Sequence, residues 1–236
     1  MIPLNTQPRE KLDYREDGTV DVHSCFRTIQ GEGPHAGRAA VFLRLAGCNL
    51  DCPGCDTDYT TGRRRMAVSD VVADVNWCSN TACRLVVITG GEPFRQNISG
   101  LVRELLAKGL HVQLETNGTV APDDFPWSAD SLDVVCSPKA GGVNPMLIQR
   151  ARHCLTFKYV LQAGKVDSDG LPLSVLGNNV RVARPPVGTD KGSIFVQPMD
   201  EQDEHKNRAN LQACRESAER FGYRVGIQLH KLLGVD

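Results

Sequence analysis

No stretch of this 236-residue chain approaches the apolar length of a membrane span, and the opening MIPLNTQPREKLDYRED is polar and proline-broken where a secretory leader needs an unbroken apolar run. No membrane partner is therefore expected, and a cytoplasmic location is. Nor is there an excess of charge of one sign: 27 lysines and arginines stand against 28 aspartates and glutamates, mixed along the whole length, for a formal net charge of -1. Without a basic stripe to meet a phosphate backbone, nucleic acid is not an expected partner. Internal repeats, low-complexity tracts and linkers are also missing. A hydrophobic fraction of 41% at this length suits one large core. The expected organisation is an amino-terminal extension over residues 1–19 and a single catalytic domain over 20–236.

What the chain does have is cysteine, nine in all. An odd number in an intracellular protein argues for reduced thiols and a metal site more than for a disulfide framework. Cys136 and Cys154 lie in apolar strand-like runs and Cys214 in a helical one, while Cys25, Cys78 and Cys83 have no partner spacing. These six read as small buried hydrophobes.

Short apolar runs at Val20–Phe26, Ala39–Ala46, Arg84–Gly90, His111–Asn117, Leu132–Ser137, Leu155–Leu161, Ser193–Gln197 and Tyr223–Leu229 alternate with helical or loop segments. Asn97 can cap a helix with apolar positions Ile98, Leu101, Val102, Leu105 and Leu106, ending at Gly109, and a second helix is expected from Asp203 to Phe221 with Ala209, Cys214 and Ala218 against the core. Strands alternating with helices predict a parallel sheet whose active residues gather at the strands' carboxyl ends. GCNLDCPGC, TGGEP, ETNG, SPK and QPMD all follow such runs.

The remaining cysteines, Cys48, Cys52 and Cys55, fall within eight residues, in C-x3-C-x2-C. Structural zinc wants four ligands, and neither a fourth cysteine nor a nearby histidine stands at a zinc-like spacing. A ferredoxin cluster also wants four thiolates, at other spacings. A four-iron cluster on three thiolates instead keeps one iron open to a small molecule.

That loop resembles the signature of the radical S-adenosylmethionine superfamily, and Thr89-Gly90-Gly91-Glu92-Pro93 resembles its GGEP motif. The resemblance implies an incomplete parallel β/α barrel, a [4Fe-4S] cluster on Cys48, Cys52 and Cys55, and S-adenosylmethionine bound around Gly54, Gly91, Glu92, Ser137, Pro138, Lys139, Gln197, Pro198, Met199 and Asp200.

Thr28-Ile29-Gln30-Gly31-Glu32-Gly33, Gly37-Arg38, Val41-Phe42-Leu43-Arg44, GCNL, CDT-x-Y and SPK together resemble one family, 7-carboxy-7-deazaguanine synthase, from about residue 20 to the terminus. The implied activity is a carbon–nitrogen lyase that contracts 6-carboxy-5,6,7,8-tetrahydropterin with loss of ammonia. Ile29, Gln30, Gly31, Glu32, Arg44, Thr89, His230 and the terminal Asp236 would then meet the pterin, and Thr57 would hold Mg²⁺ together with the substrate. Arg44 has the fork geometry for a carboxylate; a strand-end surface salt bridge is its ordinary alternative. Family chains often finish with proline, whereas this one finishes with Asp236. The resemblance also implies a homodimer and an external electron donor of the flavodoxin or ferredoxin type. Two alternatives share the cysteines: a glycyl-radical-enzyme activase and a non-enzymatic cysteine-rich metal-binding module.

Overall fold

The computed structural model describes residues 4–235. Among them the strands are β1 (Thr19–Ile29), β2 (Ala39–Leu45), β3 (Arg64–Ala67), β4 (Leu85–Gly90), β5 (His111–Thr116), β6 (Leu132–Cys136), β7 (Leu155–Leu161), β8 (Ile194–Pro198) and β9 (Arg224–Val225). They form one sheet in the order β3-β1-β2-β4-β5-β6-β7-β8-β9. From β2 to β9 every neighbouring pair is parallel. The sheet curves without closing, which makes it an incomplete β/α barrel.

Alternation along β4 shows how the sequence divides the layers. Val86 and Ile88 point into the main core, and Leu85 and Val87 form a small apolar plug with Ala40 on the opposite face. Helices α1 (Val68–Cys78), α2 (Ser99–Ala107) and α4 (Glu204–Phe221) cover the outer face, and α3 (Pro145–Arg150) precedes β7. Val71, Val75, Leu101 and Leu105 are fully buried there, each worth about 1.5–3 kcal/mol. Cys83, Cys136, Cys154 and Cys214 are buried in this core, and Cys25 and Cys78 pack against it.

The structure departs from the sequence reading in several places. β1 runs antiparallel to β2, because the connection Gln30–Arg38 is too short for a parallel crossover, which takes about a dozen residues or more. β3 and α1 were not foreseen; the buried face of α1 is Val71, Val72 and Val75, and β-branched valine gives a weak helix signal. Asn97 is exposed, and Ile98 occupies the cap position of α2 with no side-chain cap bond. On α4 the buried residues are Asn210, Cys214 and Ser217. The face is turned by polar anchoring: Asn210 Oδ1 accepts from Ala163 N at 2.7 Å, and Ser217 Oγ donates to Gly170 O at 2.5 Å. Of the run Tyr223–Leu229, only Arg224–Val225 joins the sheet. The chain then leaves it for a short helix, α5 (Leu229–Leu233), and Leu229 N donates to Gly31 O at 3.1 Å.

Candidate active site

The carboxyl ends of the parallel strands open into a cavity of about 450 Å³, a size that suits a small molecule. Cys48, Cys52, Gly54, Cys55 and Thr57 line it from the loop after β2, Thr89 and Gly91 from β4, Ser137 and Lys139 from β6, and Gln197, Pro198, Met199 and Asp200 from β8. Ile29, Gln30, Gly31 and Glu32 line it from the end of β1, Arg44 from β2 and His230 from α5. Glu92 and Pro138 do not line it, and Asp236 lies outside the described residues.

Burial pushes the Cys48 thiol up to about 12 and raises Cys55 as well, so ligation by these sulfurs would release protons. The three sulfurs do not gather within the 4.8 Å of one another that a single ion's ligands would share. The loop is held on several sides. Asn178 Nδ2 donates to Cys52 Sγ at 3.4 Å, and Asn117 Nδ2 donates to Asn49 Oδ1 at 2.9 Å. The amino-terminal segment lies across it: Glu10 N donates to Cys48 O at 2.8 Å, Gln7 Nε2 donates to Thr57 O at 2.8 Å, and Gln7 Oε1 accepts from Tyr59 N at 2.7 Å.

Gly91 packs the loop after β4 against the start of the cysteine loop; a Cβ there would stand 2.1 Å from Gly47 O. Glu92 sits behind it, fully buried, accepting from Phe94 N at 3.0 Å, Thr116 Oγ1 at 2.8 Å and Asn117 N at 2.7 Å. Burial pushes its carboxyl up to about 7 against those three bonds. Its visible work is to bolt the GGEP loop to β5.

The opposite wall is a buried charge network. Lys158 Nζ donates to Glu32 Oε2 at 2.6 Å and stands 3.9 Å from Glu115 Oε2. Glu32 Oε1 also accepts from Gln197 Nε2 at 2.9 Å and Gln228 Nε2 at 3.1 Å. Burial opposes its charge most, but Lys158, Gln228 and His230 together outweigh burial and hold Glu32 at about 2. Burial likewise opposes the Lys158 charge, and Glu115 and Glu32 together hold it above the ordinary lysine range. Glu115 Oε1 accepts from Gln30 Nε2 at 3.2 Å, and Thr89 Oγ1 donates to Oε2 at 3.2 Å. Gln197 Oε1 is buried and has no hydrogen-bond partner among the described residues, an acceptor available to a ligand donor. A carboxylate offers roughly four lone-pair sites, so Glu32 keeps about one free.

Arg44 makes no salt bridge among the described residues; its guanidinium stands over the Phe26 ring, 5.6 Å from the centroid. Lys139 Nζ donates to Ser137 O at 3.1 Å and to Ser137 Oγ. Asp200 is engaged by Lys231 of α5 and by Asn207 Nδ2 at 2.8 Å. Sequence reasoning missed Lys158, Glu115 and Gln228. A lysine in the middle of the apolar run LTFKYVL was the available signal for the first.

The radical SAM superfamily model matches residues 43–131. A 7-carboxy-7-deazaguanine synthase from Rhodospirillum rubrum is 43% identical to this chain over 240 residues, 97% of each. The chain belongs to the 7-carboxy-7-deazaguanine synthase family. The synthase of Rickettsia prowazekii is 34% identical over 93% of this chain and 91% of its own. The crystal structure of QueE from Escherichia coli superposes with a TM-score of 0.64 at 26% identity, covering 90% of this chain and 95% of that one. As a member of the synthase family the chain is a radical SAM enzyme of 7-deazapurine biosynthesis whose cofactors are a [4Fe-4S] cluster, S-adenosylmethionine and Mg²⁺. Its substrate is a small molecule. Neither the activase nor the metal-binding module is favoured. Among the described residues no helix is long and apolar enough to cross a membrane.

Proposed function

We propose that this chain converts 6-carboxy-5,6,7,8-tetrahydropterin to 7-carboxy-7-deazaguanine with loss of ammonia. The observation that carries this reading is that three cysteines without a fourth open on the same cavity as Arg44 and the Glu32–Lys158–Glu115 network. The cluster and S-adenosylmethionine supply, when bound, one-electron reduction of a sulfonium and hydrogen abstraction at the pterin C6.

The chain's own residues bind, orient and exclude water. Cys48, Cys52 and Cys55 would hold the cluster; Gly91, Ser137, Lys139 and the Gln197–Asp200 segment flank the space for S-adenosylmethionine, with Glu92 as a positioning residue. Arg44 would fork the substrate carboxylate. Gln30, the remaining lone pair of Glu32 and the unpartnered Gln197 Oε1 would read the aminopyrimidine edge, with His230 beside Gly31. Thr57 offers a hard oxygen for Mg²⁺ alongside substrate oxygens. A flavodoxin- or ferredoxin-type donor, a homodimer and a cytoplasmic location complete the reading.

Anaerobic reconstitution followed by incubation with the carboxypterin, S-adenosylmethionine, Mg²⁺ and a reductant tests it. Formation of the deazaguanine acid is expected. An intact cluster that cleaves S-adenosylmethionine but leaves the pterin unchanged would reject the substrate.

A further inference from the structure

Below the cavity, the inward face of the sheet carries a second group of side chains that the reaction does not use. His111 opens β5, Asp133 is second in β6, and His35 closes a 3-10 turn over Gly33–His35. Asp133 Oδ2 lies 2.6 Å from Nε2 of His35 and 2.6 Å from Nε2 of His111. The two rings meet edge to face, with centroids 5.0 Å apart. These three ligand atoms lie within 4.8 Å of one another, and among the described residues no other group of three His, Cys, Asp or Glu side chains does. Alternation places His111 on the face of β5 that carries Glu115 into the cavity, roughly 13 Å further down the strand. None of the three lines the cavity.

We propose that His35, His111 and Asp133 form a binding site for a zinc-type divalent cation, separate from the cluster and from the reaction's Mg²⁺. Two imidazole nitrogens and one carboxylate oxygen are the donor set of Zn²⁺ and its late first-row neighbours, whereas Mg²⁺ wants oxygens alone. Three protein ligands leave a fourth position for water. On binding, each neutral imidazole turns its Nε2 lone pair to the ion and carries its single proton on Nδ1, so the hydrogen bonds to Oδ2 are exchanged for bonds to the ion.

The same ligands set the ion's role. His35 lies three residues beyond Glu32 in the connection Gln30–Arg38. An ion there ties the loop that carries Gln30 and Glu32 to the starts of β5 and β6. Arg38 opposes it: its Nη1 stands 2.8 Å from His35 Nδ1. Donation to Nδ1 keeps the imidazole proton on Nε2, the atom the metal needs, and the guanidinium adds like charge. Arg38 is exposed and can be removed without opening the core.

The test is an anaerobic titration of the cluster-loaded, chelator-washed enzyme with Zn²⁺, read by metal analysis, a competing chromophoric chelator and thermal unfolding. One zinc beyond the irons is expected, with a melting temperature about 5 °C higher. His111→Ala and Asp133→Asn should weaken uptake at least about tenfold, and Arg38→Ala should strengthen it by about two- to tenfold. Co²⁺ at the site should show d–d absorption without a thiolate charge-transfer band. The proposal is overturned by absence of zinc beyond the cluster, by uptake unchanged in His111→Ala and Asp133→Asn, by a thiolate band, or by an Arg38→Ala affinity no higher than that of the parent.

Discussion

Lys158 and Glu32, 126 residues apart, meet at 2.6 Å in the wall of the cavity, and Glu115 stands on the other side of the same ammonium at 3.9 Å. Removing the lysine would leave two carboxylates facing each other with no cation between them. Lys158→Met is expected to cost about 3–5 kcal/mol of stability. Adding Glu32→Gln should recover part of that loss, because the orphaned charge is then gone. Urea unfolding of the two variants checks both; equal stability of single and double variants would show that the pair is not energetically coupled.

The same pair fixes an acid-side pH dependence. The folded-state value of Glu32, about 2, lies below its ordinary 4.5, so between these values the unfolded chain holds more protons. The contribution is complete above about pH 4.5 and is lost as pH falls toward 2, amounting to about 3 kcal/mol. Unfolding of cluster-free protein at pH 6 and pH 3 should show a smaller loss in Glu32→Gln than in the parent.

How much of this site could be read from sequence depends on whether the signal was local. Cys48, Cys52 and Cys55, Gly91 and Gln30–Glu32 sit in short motifs at strand ends, and all line the cavity. Lys158 was hidden because its meaning comes from Glu32, a residue brought to it by sheet curvature rather than by spacing. The tail departs from its sequence pattern for a related reason: Gln228–Leu229 has strand-like composition, yet Leu229 N bonds Gly31 O, and only the folded loop supplies that acceptor. The parallel order of β2 to β9 followed from the alternation of runs, whereas β3 carries Arg64 and Arg65 and α1 is valine-rich, so neither announced itself. His35, His111 and Asp133 are spread over three elements, and no sequence pattern joins them.

Gly91 tests how tightly the cluster loop and the GGEP loop are packed. An added Cβ would stand 2.1 Å from Gly47 O and 2.9 Å from Cys48 Cβ, and the nearest of these is backbone and cannot turn aside. Gly91→Ala should therefore displace the Cys48 segment and lower iron content after reconstitution by more than about half. Gly100→Ala, where a Cβ meets nothing within 4 Å, is the control and should load normally.

The amino-terminal segment should matter to the cluster although it supplies no ligand. Gln7 holds Thr57 O through Nε2 and Tyr59 N through Oε1, the two residues that follow the last cysteine most closely in its network. Gln7→Ala leaves both half-buried backbone groups without those partners, at about 1–3 kcal/mol each. The expected result is faster iron loss to a chelator under anaerobic conditions, together with a melting temperature several degrees lower. Equal loss rates in variant and parent would show that the strap is incidental.

Arg44 distinguishes recognition of the carboxypterin from general cluster chemistry. Its guanidinium lines the cavity, stacks over Phe26 and has no carboxylate partner among the described residues, which leaves its charge to meet a ligand. A lysine there keeps the charge but loses the planar fork and the stacking. Arg44→Lys should raise KM for the carboxypterin by about 10- to 100-fold, the worth of roughly 1.4–3 kcal/mol of bidentate contact. Cleavage of S-adenosylmethionine in the absence of the pterin should be unchanged, because that step needs the cysteine loop and not β2. A variant impaired equally in both assays would place Arg44 in support of the cluster loop and remove it from substrate recognition.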